Sequence, residues 1–166
     1  MQTHSTQDGE QVWDALSQEV RTFGDYLKRG GTPGELRGIS DQENEAVYAL
    51  GRQFYGQRQY EQAFKIFSVL VMQNSMEPRY LMGLGAAGQM IGRYRDALTQ
   101  YMTAAVFLVD DPQPIFHSAQ CLAAMGHTSE ALETLELAIS LCSVEKHGEV
   151  AEQARQLMAR LQTYPK

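Results

Sequence analysis
Apolar residues along this chain recur at helical spacing. Val12, Leu16, Val20, Phe23 and Leu27 follow one another at steps of four, four, three and four, which predicts an amphipathic helix from about Asp8 to Lys28. Trp13 and Tyr26 lie beside that stripe and widen it. So broad an apolar face needs a cover, supplied either by the rest of the chain or by a second copy. Gly30 and Gly31 stop the helix, and Thr32-Pro33-Gly34-Glu35 offers an N-cap followed by proline. Ser40-Asp41-Gln42-Glu43 then reads as a capping box that opens the next helix, placing a boundary at Ser40.

Beyond Ser40 the pattern repeats. Tyr60–Phe67 reads YEQAFKIF, Tyr94–Tyr101 reads YRDALTQY and Thr128–Leu135 reads TSEALETL, each 34 residues after the last. Alanines recur at Ala63, Ala97 and Ala131, with a large residue one turn later at Phe67, Tyr101 and Leu135. Upstream of each, Leu50 matches Leu84, and Gly51 matches Gly85 and Ala119. Small residues at fixed columns let two antiparallel helices approach closely, and the large residue fills the space between hairpins. The core stripes of the first helices read Val47, Leu50, Gly51, Phe54; then Leu81, Leu84, Gly85, Gly88; then Ile115, Ala119, Leu122.

These columns resemble the tetratricopeptide repeat, with Leu-Gly in the first helix and Ala-x-x-x-Phe in the second. The chain departs from that pattern in lacking its tryptophan, in carrying Arg58 where the later windows have Gly92 and Gly126, and in placing Ser118 where the leucine belongs. Val150, Ala154, Leu157 and Leu161 mark a final helix whose other residues are mostly polar, as a capping helix requires. The resemblance implies an all-α fold of three tandem tetratricopeptide repeats in a right-handed superhelix, with an N-terminal helix and a C-terminal capping helix. The expected divisions are 1–40, a repeat array over 41–145 (windows 44–77, 78–111 and 112–145) and a cap over 146–166.

Composition narrows the function. At 43% hydrophobic and 20% charged, the chain is globular, and its net charge of −6 argues against tracking a nucleic-acid backbone. No cationic stretch precedes an apolar run, and no apolar run is long enough to span a bilayer, so the expectation is a cytoplasmic protein. Four histidines stand without ligand spacing, Cys121 and Cys142 are isolated, and no phosphate loop or nucleophile elbow occurs. Neither a metal, a cofactor nor catalysis is expected.

One residue off the core stripe lies a second column, Tyr48, Met82 and Phe116. Farther along the same face come Arg52, Ala86 and Gln120, then Tyr55, Gln89 and Ala123. Because first helices line the concave surface of a tetratricopeptide superhelix, the resemblance puts all nine on one groove. Large apolar side chains among small ones and amides suit an extended peptide. The alternative is that Tyr48, Met82 and Phe116 are buried beneath a terminal helix.

The GGT-containing loop, the runs YALGRQFYGQRQYEQAFKIF and LMGLGAAGQMIGRYRDAL, and IFHSAQCLAAMGHTSEA together resemble the class II chaperones of bacterial type III secretion systems. The resemblance implies a cytoplasmic chaperone of the hydrophobic translocator proteins, which docks a short segment with spaced aliphatic and proline anchors in its groove. It also implies a homodimer through the N-terminal helix, with Val12, Trp13, Leu16, Val20 and Phe23 as dimerisation residues. Two other readings stay open: a generic repeat scaffold for another cytosolic peptide, and a regulatory co-factor that binds a transcription factor.

Overall fold
A computed structural model describes residues 18, 21, 22, 24–142 and 146–163. The chain divides into two compact units, Met1–Ser40 and Asp41–Lys166. In the first, residues 24–28 are helical and a short helix α1 spans Pro33–Leu36. Thr32 caps α1 reciprocally: its Oγ1 accepts from the Glu35 N–H, and its own N–H donates to Glu35 Oε2. That carboxylate also accepts the Tyr26 hydroxyl at 2.9 Å, which ties the short helix to the residues before it.

Helices are the regular elements of the second unit among its described residues. Three hairpins run α2 Asp41–Gly56 with α3 Tyr60–Gln73, α4 Pro78–Met90 with α5 Tyr94–Phe107, and α6 Gln113–Ala124 with α7 Thr128–Leu141. Helix α8, Gly148–Thr163, closes the series. Each helix packs on the next, α2 also touches α4, and α6 touches α8. The second helices α3, α5 and α7 make no comparable contact with one another, so the array curves with its first helices inside.

The small-residue columns are what allow this stacking. Ala63, Ala97 and Ala131 are fully buried, and so are Phe67, Tyr101 and Leu135. Phe67 lies between two first helices. A Cβ added at Gly51 of α2 would come within 2.9 Å of its ring, and one at Gly83 of α4 within 2.7 Å. Only glycine permits that approach from both sides.

One core expectation needs correction. Leu84 is buried against Ala63, Phe67 and Leu70, on the second helix of the preceding hairpin. Leu50, its counterpart in the first hairpin of the array, is 40% exposed. The hairpin turns also differ: Gly92 and Gly126 adopt left-handed φ of 77° and 84°, and Arg58 takes the same conformation, φ 61°, without glycine's freedom.

Candidate functional site
On the inner face, α2 and α4 flank a cavity of about 310 Å³. Tyr48, Arg52, Tyr55 and Gly56 line it from α2, and Gly83 and Ala86 from α4. The Phe67 ring, from the second helix α3, forms the floor between them. On α2, Tyr48, Arg52 and Tyr55 follow at helical steps of four and three, so one face presents all three side chains to the cavity.

The aromatic walls are held from several sides. The Tyr48 ring tilts against Phe67 at 5.9 Å and Tyr80 at 5.6 Å, with the Arg79 guanidinium 5.2 Å from its centroid. Arg79 is itself gripped: its Nη2 lies 2.6 Å from Glu45 Oε1 and its Nε 3.0 Å from Glu77 Oε1. Tyr55 meets Tyr60 edge-on at 5.2 Å, and burial, followed by the nearby Tyr60, raises its phenol pKa. Tyr48 and Tyr55 thus present largely apolar walls with hydroxyls at their tips.

Farther along the array the inner face turns polar. Tyr101 donates its hydroxyl to Gln89 Oε1 at 2.9 Å, Gln89 Nε2 donates to Gln120 Oε1 at 3.2 Å, and His117 Nδ1 lies 2.9 Å from the same oxygen. An amide oxygen only accepts, so His117 carries its proton on Nδ1. Burial raises the Tyr101 pKa and keeps that hydroxyl a donor. With Gln120 Oε1 occupied twice, its amide N–H groups are left for another acceptor.

The structure therefore gathers Tyr48, Arg52, Tyr55 and Ala86 around one cavity and joins Gln89 to Gln120. Ala123 is half-buried one turn beyond Gln120. Phe116 differs from an open-groove expectation, whereas Met82 is half-buried as Tyr48 is. Met82 packs against Ala97, Tyr101 and Cys121. Phe116 is 4% exposed, in a cluster with Ile115, Ala119 and Leu135 that extends to Val150 and Leu157 of α8. The last hairpin carries the capping helix, and that cover buries what an open end would expose. Val12, Trp13, Leu16, Val20 and Phe23 lie outside the described residues.

The nine-position reading missed Phe67 and Tyr101, which reach the inner face from the second helices. Their signal is the glycine facing each ring: Gly51 and Gly83 on Phe67, and Gly85, whose added Cβ would meet Tyr101 at 2.8 Å.

No family model matches the chain. Among curated proteins, the low calcium response locus protein H of Yersinia pestis is 36% identical over 116 residues, covering 70% of this chain and 69% of that one. Among solved structures, the type III secretion translocator chaperone SycD of Yersinia enterocolitica superposes with a TM-score of 0.71 at 31% identity, over 78% of this chain and 98% of SycD. The chain belongs to the type III secretion translocator chaperones. PcrH, solved with the chaperone-binding region of PopD, matches this translocator chaperone at the same TM-score of 0.71 and 31% identity, over 76% of this chain and 96% of PcrH. SycD has also been solved with a peptide of the translocator YopD and as an alternative dimer. These relatives agree in sequence and in helical architecture with the three hairpins described above.

Proposed function
We propose that this chaperone keeps a hydrophobic translocator soluble before export by taking an extended segment of it along α2, α4 and α6. The observation that carries the reading is the Tyr48–Arg52–Tyr55–Ala86 cavity. Its volume is at the small end of the about 300–1,000 Å³ range of ligand pockets, which suits a side-chain anchor rather than a whole cofactor. The polar row Gln89–Gln120 follows on the inner face, where amide donors can meet the carbonyls of an extended chain.

A translocator must enter a membrane, so in water it exposes apolar surface that aggregates. An acidic partner with a net charge of −6 covers part of that surface and adds repulsive charge to the complex. Among the described residues no helix is long and apolar enough to cross a membrane. The work is that of a cytoplasmic holdase without catalysis, and release falls to the export machinery. In the free state the stripe Val12, Trp13, Leu16, Val20 and Phe23 pairs two copies.

Co-expression with the translocators of its own secretion system tests this reading. A translocator that stays soluble and co-purifies is the expected result, and one that remains insoluble beside abundant chaperone overturns it. Size measurement across dilution tests the dimer. The wild type should be dimeric at high concentration and dissociate on dilution, and Leu16→Glu should be monomeric throughout. A wild type monomeric at every concentration contradicts the pairing.

A further inference from the structure
Arg52 is the one cation lining the cavity among the described residues. Its own helix supplies no acid within a turn: the residues three and four positions away are Tyr48, Ala49, Tyr55 and Gly56. The opposite wall is Gly83 and Ala86, which carry no charge either. Arg79 at the same end of the array is held by Glu45 and Glu77, Arg93 by Asp96, and Arg155 by Glu152. Among the described residues Arg52 makes no ion pair, hydrogen bond or ring contact.

The chain has 20 acidic residues against 14 basic ones, yet none of the described acids is placed against Arg52. A guanidinium presents five donors in a fixed planar fork that matches a carboxylate, and here that fork stands beside a pocket sized for an aliphatic side chain. We infer that Arg52 is a specificity residue that selects a translocator segment bearing an acidic residue next to the anchor seated between Tyr48 and Tyr55. Elsewhere the chaperone's acidity repels acidic sequences, so a carboxylate at this one position also fixes which way and in which register the segment lies. This inference rests on the groove reading above.

The test uses fluorescein-labelled extended peptides with spaced aliphatic anchors. Each peptide carries Glu at one non-anchor position in turn, with a matching Gln series. The wild-type protein should bind the Glu peptide more tightly at one position, by about two- to five-fold, the range expected for an ion pair open to solvent. The preference should shrink in high salt. Arg52→Gln should remove the Glu-over-Gln difference at that position, whatever it does to the affinity for the Gln series, and Arg52→Lys should keep part of it. Equal binding of the two series by the wild type, or a preference that survives Arg52→Gln, overturns the assignment to Arg52 alone. Failure of every peptide to bind a natively folded wild type overturns the groove reading, and this inference with it.

Discussion

Gly83 of α4 faces the ring of Phe67 in α3 so closely that an added Cβ would lie 2.7 Å from it. The contact joins structure to site, because the same ring floors the cavity that Tyr48 and Tyr55 enclose. Gly83→Ala forces the ring to move and is expected to cost about 1–3 kcal/mol, the usual penalty of overpacking. Chemical denaturation measures that loss, and peptide binding should weaken with it because the floor has shifted. A stability equal to wild type would mean the ring has room that the geometry denies it.

Arg58 closes the first hairpin in a left-handed conformation, φ 61°, at the column where Gly92 and Gly126 close the other two. A side chain there costs roughly 1–2 kcal/mol relative to an unstrained backbone, partly offset by the entropy glycine loses on folding. Arg58→Gly should therefore stabilise the protein by up to about 1 kcal/mol, or a few degrees in melting temperature for a chain of this size. A lower melting temperature would show that Arg58 makes a compensating interaction.

His117 stands inside the array, stacked on Tyr101 at 5.1 Å, and burial lowers its pKa below the ordinary 6.5. The hydrogen bond to Gln120 and the nearby Asp111 oppose that shift without reversing it. The folded state thus resists protonation more than the unfolded chain does. Its stability is complete above the ordinary histidine range and falls as the pH drops through 6.5 toward the lowered value. His117→Gln should flatten the wild-type loss of stability between about pH 7 and 5, above the range where most carboxylates titrate. Parallel stability curves for the two proteins would contradict a neutral, half-buried His117.

The two thiols should also separate. Cys121 is fully buried, and burial pushes its pKa up to about 11, whereas Cys142 is half-buried at the end of α7. A thiol reagent at neutral pH should modify Cys142 first and reach Cys121 only on unfolding. Equal rates in the native protein would show that the Ala97–Tyr101–Cys121 cluster opens readily.

Most of the architecture was legible in the residues because close helix packing leaves a mark at fixed columns. Ala63, Ala97 and Ala131 had to be small, and their 34-residue step is visible without coordinates. Half of the site was legible for the same reason: Tyr48, Arg52 and Tyr55 share a helix face by spacing alone. Periodicity along one helix does not reveal what a neighbouring helix contributes or covers. Phe67 read as a core residue, and it is one at 2% exposure, yet its ring also floors the cavity between α2 and α4. Phe116 read as an open position because the cover that α8 provides depends on how the last hairpin ends. Leu50 read as core because its column matches Leu84, which is buried.

The central claim is that the cavity beside Ala86 seats an anchor of the translocator. Ala86→Leu places three further carbon atoms in that space and removes none of the packing around Tyr48 or Phe67. Titration of a co-purifying translocator's chaperone-binding segment against wild type and Ala86→Leu, with melting temperatures recorded for both, tests it most directly. The account predicts an unchanged melting temperature and an affinity reduced at least ten-fold, about 1.4 kcal/mol. Wild-type affinity in a normally folded Ala86→Leu protein would contradict it.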